Sequence, residues 1–108
     1  MTLNEYQKIA YLSYFGRELP RVSQLINNAL GLVGETGEVV DQIKKEIYLN
    51  REISEEEIIE ELGDVLWHLS CLAAARGVTL ESIAIYNIEK LKERYPNANW
   101  GQDSDLGL

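Results

Sequence analysis

The two prolines of this chain, Pro20 and Pro96, both stand where a helix would begin or end, and the sequence between them reads as helix punctuated by caps. "TLNE" at the start is a capping box, with Thr2 as N-cap and Glu5 reaching back to it. A first helix is predicted from near Thr2 to about Phe15, with Gly16 ending it. Pro20 allows a new start near Arg21 or Val22, and the second helix runs to about Tyr48. "YLNREIS" breaks the pattern. "SEEE" is a second capping box, Ser54 with Glu57, and opens a third helix from about Glu55 to Arg76. Gly77 is a natural residue to follow it. Thr79 caps a fourth helix, which ends by Tyr95 because a residue before proline avoids the helical region. No stretch alternates cleanly enough to be a strand. The expectation is an all-α, four-helix bundle-like domain over residues 1–96, followed by a loop-like tail, 97–108.

At 108 residues the chain is one domain and long enough to bury a core without staples. Its formal net charge of −8 argues against nucleic acid and against an anionic membrane surface, both of which attract basic patches. Cys71 is the sole cysteine, so an intrachain disulfide and a thiolate metal cluster are excluded, and "LSCLAA" around it predicts a buried, inert thiol. The N-terminus lacks the basic and apolar regions of a signal peptide, and no apolar run is long enough to span a membrane. The expected compartment is therefore cytoplasmic.

The stretch "GLVGETGEVVDQIKKE" raises the chemical question. Leu32, Val39, Ile43 and Ile47 define an apolar arc, widened by Ala29, Val33 and Val40. At about 100° per residue, Glu35 and Glu38 fall on one flank of it, toward the interior or its rim. The third helix repeats the device in "EELGDVLWHL": Glu61, Asp64 and His68 line one edge of a core arc of Leu62, Val65, Leu69 and Leu72. Acids three residues apart repel unless a positive charge lies between them. Two facing pairs would form a four-carboxylate cage for a hard cation, Mg²⁺ first and Mn²⁺ second. The plainer alternative is a solvated acidic face, as expected for Glu55, Glu56, Glu57 and Glu60 at a helix N-terminus. Gly31, Gly34 and Gly37 tilt the balance. Each costs roughly 1 kcal/mol against alanine in a helix, and close approach of another group is the compensation they offer.

On the fourth helix Asn87, Lys90 and Arg94 form a stripe of one amide and two cations, suited either to phosphate oxygens or to neighbouring acids. Lys44 and Lys45 read as ordinary solvated lysines. His68 is a packing residue, a substrate contact or a further ligand. Trp67, Tyr6, Tyr11 and Tyr14 are core aromatics or candidates to stack on a base.

Together these motifs resemble the MazG-like family of all-α nucleoside triphosphate pyrophosphohydrolases. The pattern E-x-x-E, spacer, E-x-x-D reads as Glu35, Glu38, Glu61 and Asp64. The "N-x-x-K-L-x-x-R-Y-P" ending reads as Asn87, Lys90, Leu91, Arg94, Tyr95 and Pro96, and "LNEYQ" is similar to many family N-termini. The resemblance covers residues 3–96. It implies an Mg²⁺-dependent enzyme that cleaves a nucleoside triphosphate between the α and β phosphates. Glu35, Glu38, Glu61 and Asp64 would hold the metal, with Glu35 as candidate general base. Asn87, Lys90 and Arg94 would contact the substrate, and His68 is a further candidate contact. A homo-oligomer is implied, a tetramer slightly ahead of a dimer, with sites completed across subunits. Many relatives have tyrosine at the position of His68, while "HL" is shared with the phosphoribosyl-ATP pyrophosphohydrolases. That branch is the runner-up enzyme, although the extra acid it carries beside the first pair is missing here. A non-catalytic, nucleotide-sensing bundle is the alternative outside enzymology.

Overall fold

The computed structural model describes residues 1–101; of the predicted tail, residues 102–108 lie outside the described residues. Four helices follow one another, α1 (Leu3–Ser13), α2 (Arg21–Tyr48), α3 (Glu55–Ala75) and α4 (Leu80–Arg94), with no strand among the described residues. Both capping boxes form, at Thr2 with Glu5 and at Ser54 with Glu57. Thr79 caps α4 by accepting from the Ser82 amide. Asn50 (φ 50°) and Gly77 (φ 77°) take the left-handed conformation that turns the chain out of α2 and α3. The first helix ends at Ser13, two residues before the predicted end. The Tyr14 backbone turns extended, and Phe15–Glu18 form a separate 3₁₀ turn. Gly16 belongs to that turn, where a side chain would collide with the Tyr14 ring.

The packing follows from three contacts between α2 and α3. Arg21 Nε donates to the Ala75 carbonyl at 2.9 Å. Asn28 Oδ1 faces His68 Nδ1 at 3.3 Å. Glu35 meets Glu61 and Asp64. The positions advance by seven along one helix (21, 28, 35) as they retreat by seven along the other (75, 68, 61), which is two turns per step in an antiparallel pair. α1 lies across the far half of α3, and its Ala10 and Tyr14 form the small core with Cys71. Tyr6, Tyr11 and Trp67 pack around it. Gln7 staples α1 to the α3–α4 turn, donating to the Ser70 and Val78 carbonyls and accepting from the Leu80 amide. Cys71 is buried as expected, and burial pushes its thiol up to about 11, so it is protonated and unreactive at neutral pH.

A closed four-helix bundle does not form. α4 leaves α3 at 98° and packs chiefly against α1. The radius of gyration is 16.6 Å, against ~13 Å for a compact chain of this length. The predicted apolar arc of α2 is divided: Leu32 and Val39 are half-buried, whereas Val33, Val40, Ile43 and Ile47 are exposed. Leu62, assigned above to the core arc of α3, is exposed as well. Trp67 is half-buried against α1, donating from Nε1 to Ser13 Oγ at 2.9 Å and meeting Tyr14 edge to face. Among the described residues no single helix is long and apolar enough to cross a membrane.

Candidate metal centre

The third step of the α2–α3 register carries the chemistry. One carboxylate oxygen from each of Glu35, Glu61 and Asp64 lies within 4.8 Å of the others. Glu35 and Glu61 are half-buried in the seam, and Asp64 is exposed at its edge. The helices are long and antiparallel, so three acids from two distant segments are held without any loop. Glu38, the remaining acid of the predicted cage, is exposed and stands outside this group of three. Its charge still reaches the group. Glu61 is raised above the ordinary value of 4.5, first by its removal from water, then by the charges of Glu35, Asp64, Glu38 and Glu60. No lysine or arginine forms an ion pair with any of the four among the described residues.

An all-carboxylate donor set with uncompensated mutual repulsion fits a hard divalent ion, which replaces the missing positive charge and takes oxygen ligands. The residues present therefore suit Mg²⁺ or Mn²⁺ on chemical grounds.

A sequence profile described as the MazG nucleotide pyrophosphohydrolase domain matches residues 24–99. The chain belongs to that family. It is also 34% identical over 70 residues to the Gene 37 protein of Mycobacterium phage L5, an alignment spanning 60% of each chain. This chain thus covers less than two thirds of that relative's length. No solved structure matches it.

The MazG match contains all the predicted site residues, but the fold does not gather them all in one chain. Asn87, Lys90 and Arg94 are exposed on α4 and make no hydrogen bond or ion pair to the acids of α2 and α3 among the described residues. Asn87 and Lys90 instead line a depression with Val78, Ser82, Ile83 and Tyr86. Lys45 is paired with Asp41 at 2.8 Å, as an ordinary helix-surface lysine. Of the aromatics considered for base stacking, Tyr14 is buried in the core and Trp67 is packed on α1. Tyr11 donates its hydroxyl to Gln24. Tyr6 packs against the Cys71 core, and its phenol is raised above the ordinary value, first by burial and then by Cys71 and Asp64.

One step back along the seam from the acids is a polar unit that sequence reasoning did not find. Asn28, 1% exposed, links Gln24 to His68, and the His68 ring fills the space above Gly31. The sequence signal was the seven-residue spacing of Asn28 and Glu35 against that of His68 and Glu61.

Proposed function

We propose that this chain is a divalent-metal-dependent pyrophosphohydrolase that cleaves a ribo- or deoxyribonucleoside triphosphate between its α and β phosphates, giving the monophosphate and pyrophosphate. The observation that carries the reading is the convergence of Glu35, Glu61 and Asp64 from two helices of a MazG domain. These three hold the ion, with Glu38 at the rim. Mg²⁺ is the resident ion and Mn²⁺ its substitute. When bound, such an ion neutralises phosphate charge and lowers the pKa of water. Glu35 would accept the proton of the attacking water. Lys90 and Arg94 take phosphate oxygens, Asn87 donates its amide to the substrate, and His68 contacts the nucleoside. Phosphoryl chemistry of this kind needs positioning and charge compensation above all.

The working form is a homo-oligomer in the cytoplasm, a tetramer in preference to a dimer. Its support is the exposed apolar surface of α2, α3 and α4, more than scattered single residues. The departure of α4 from the α2–α3 pair supports a site completed by the α4 stripe of another copy.

The test is a panel of canonical and modified nucleoside triphosphates with Mg²⁺ or Mn²⁺, reading both pyrophosphate and orthophosphate. Equimolar monophosphate and pyrophosphate, abolished by a chelator, is the expected result. Orthophosphate as the product, or no turnover of any triphosphate with either ion, would overturn the reading.

A further inference from the structure

From the buried contacts of Asn28 we infer that it is a positioning residue, holding His68 as the Nδ1–H tautomer so that Nε2 is a hydrogen-bond acceptor for an N–H or O–H of the nucleoside. The inference rests on the pyrophosphohydrolase reading for its substrate and on the structure alone for its tautomer.

The chain of donors has one direction. Asn28 Nδ2 lies 2.9 Å from the Gln24 backbone carbonyl, which can only accept, so the amide nitrogen must face it. The other end of the amide, Oδ1, then faces His68 Nδ1 at 3.3 Å and is itself only an acceptor. Nδ1 therefore carries a hydrogen whether the ring is neutral or protonated. In the neutral ring this leaves Nε2 with its lone pair.

Gln24 is fixed in turn, its amide nitrogen donating to the Arg17 and Leu19 carbonyls and its oxygen accepting from Tyr11. Gln24 and Asn28 are both buried, so neither amide turns over without breaking bonds that water cannot replace. The missing side chain at Gly31 lets the imidazole lie flat enough against α2 to reach Asn28: a Cβ there would fall 2.7 Å from Nε2 and closer still to Cε1 and Nδ1.

Ring geometry sends the Nε2 lone pair roughly opposite to the Asn28 contact. Nε2 has no hydrogen-bond partner among the described residues, and His68 is only half-buried. The ring stands one helical turn from Asp64 on α3, and Gly31 beneath it stands one turn from Glu35 on α2. An acceptor one helical turn from the acids that would hold the ion suits a sugar hydroxyl or a base N–H.

His68 is the sole histidine, so its ring nitrogens are read without ambiguity by long-range ¹H–¹⁵N correlation on the labelled protein, free of metal and nucleotide. On the high-pH plateau, where the ring signals no longer move, the proton should be on Nδ1. In Asn28→Leu it should move largely to Nε2. A wild-type spectrum with the proton on Nε2 overturns the tautomer, and that spectrum decides even if the variant does not fold.

The second arm compares KM and kcat for ribo-, 2′-deoxy- and 2′,3′-dideoxynucleoside triphosphates, each with cytosine and with uracil. Loss of the recognised donor should raise KM about tenfold in the wild type with little change in kcat. The same loss should have no effect in His68→Phe. A response to sugar hydroxyls assigns the donor to the sugar, and a response to the base assigns it to the base N–H. Equal KM across the panel overturns the acceptor role. Inactivity of this panel together with every purine triphosphate refutes the enzyme reading and leaves the NMR result standing; where only purine nucleotides are turned over, the same sugar series is read on them.

Discussion

Glu35 and Glu61 face each other across the α2–α3 seam with carboxylate oxygens within 4.8 Å, and Glu61 holds its proton more tightly than an ordinary glutamate, first through its removal from water and then through the charge of Glu35. The contact repeats the register that joins Arg21 to Ala75 and Asn28 to His68. The same two helices thus hold a structural contact, a buried polar unit and the acids at successive steps.

The raised proton affinity of Glu61 fixes the sign of a pH effect. The unfolded chain releases this proton near 4.5, whereas the folded chain keeps it to higher pH. Between those values the native state binds more protons, so this group's contribution to stability is present below 4.5 and is lost as pH rises through the folded value. Asp41, lowered by its hydrogen bond to Lys45, acts in the opposite sense and only below 3.8. The melting temperature of the metal-free protein should show a component that falls as pH rises above 4.5, and Glu61→Gln should remove that component. Millimolar Mg²⁺ should offset the fall by binding the ionised group, more than sodium at equal ionic strength. Identical shifts with the two salts would mean screening and no site.

The grouping of the acids also ranks their variants. Glu35→Gln, Glu61→Gln and Asp64→Asn each remove one of three converging ligands and should lower kcat/KM by about 100-fold or more, roughly 2.7 kcal/mol of barrier. Glu38→Gln, at the rim, should chiefly raise the Mg²⁺ concentration needed for half-maximal rate and recover at high Mg²⁺. Circular dichroism should stay near wild type in all four, because little packing is removed. Activity of Asp64→Asn within threefold of wild type would sink the three-acid centre.

The helices, their caps and the acid-bearing flanks were legible in the sequence because each is a local property. Thr2, Ser54, Thr79 and Gly77 act where their residue types say they should. The angular argument also put Glu35, Glu61 and Asp64 beside the packed faces, because helical phase follows from residue number alone. Which face of α2 meets α3 was not legible. Leu32 and Val39 occupy one side and Val33 and Val40 the other, and periodicity cannot rank two apolar faces. The same ambiguity left Trp67 open between a core aromatic and a base-stacking residue, and it packs on α1. The path of α4 was hidden too, since a short connection after Gly77 is compatible with a bundle or with the observed 98° turn.

The glycines can now be told apart. A side chain at Gly31 overlaps His68, whereas Gly34 and Gly37 have nothing within 4 Å of the space a Cβ would occupy. Gly31→Ala should destabilise by about 1–3 kcal/mol through overpacking, offset in part by the ~1 kcal/mol of helix propensity it gains. His68→Ala in the same chain should restore most of the loss. Gly34→Ala has no such collision and should raise stability by up to ~1 kcal/mol. Chemical denaturation of the single and double variants checks all three, and a stabilising Gly31→Ala would show that the His68 ring is free to leave.

The exposed apolar stripe of α2 makes the last prediction. Val22, Ile26, Leu30, Val33, Val40 and Ile47 are all exposed, Val33 by 72% and Leu30 by 69%. Their spacing of three, four and seven residues places them on one face, turned away from the side that carries Asn28 and Glu35. α3 adds Ile59, Leu62 and Leu66, also exposed. A long helix with apolar residues on more than one side calls for packing on each, and among the described residues α2 packs chiefly against α3. A second copy related by a two-fold axis would present the same stripe to its partner and bury both. Sedimentation equilibrium at micromolar protein should therefore give a mass of at least twice the 12.3 kDa chain. Val33→Glu combined with Val40→Glu should reduce it toward one chain by placing like charges in the seam. Activity should fall with the assembly if α4 of another copy completes the site. A wild-type protein that sediments as one chain while hydrolysing nucleotide at full rate would refute the shared site and leave the stripe unexplained.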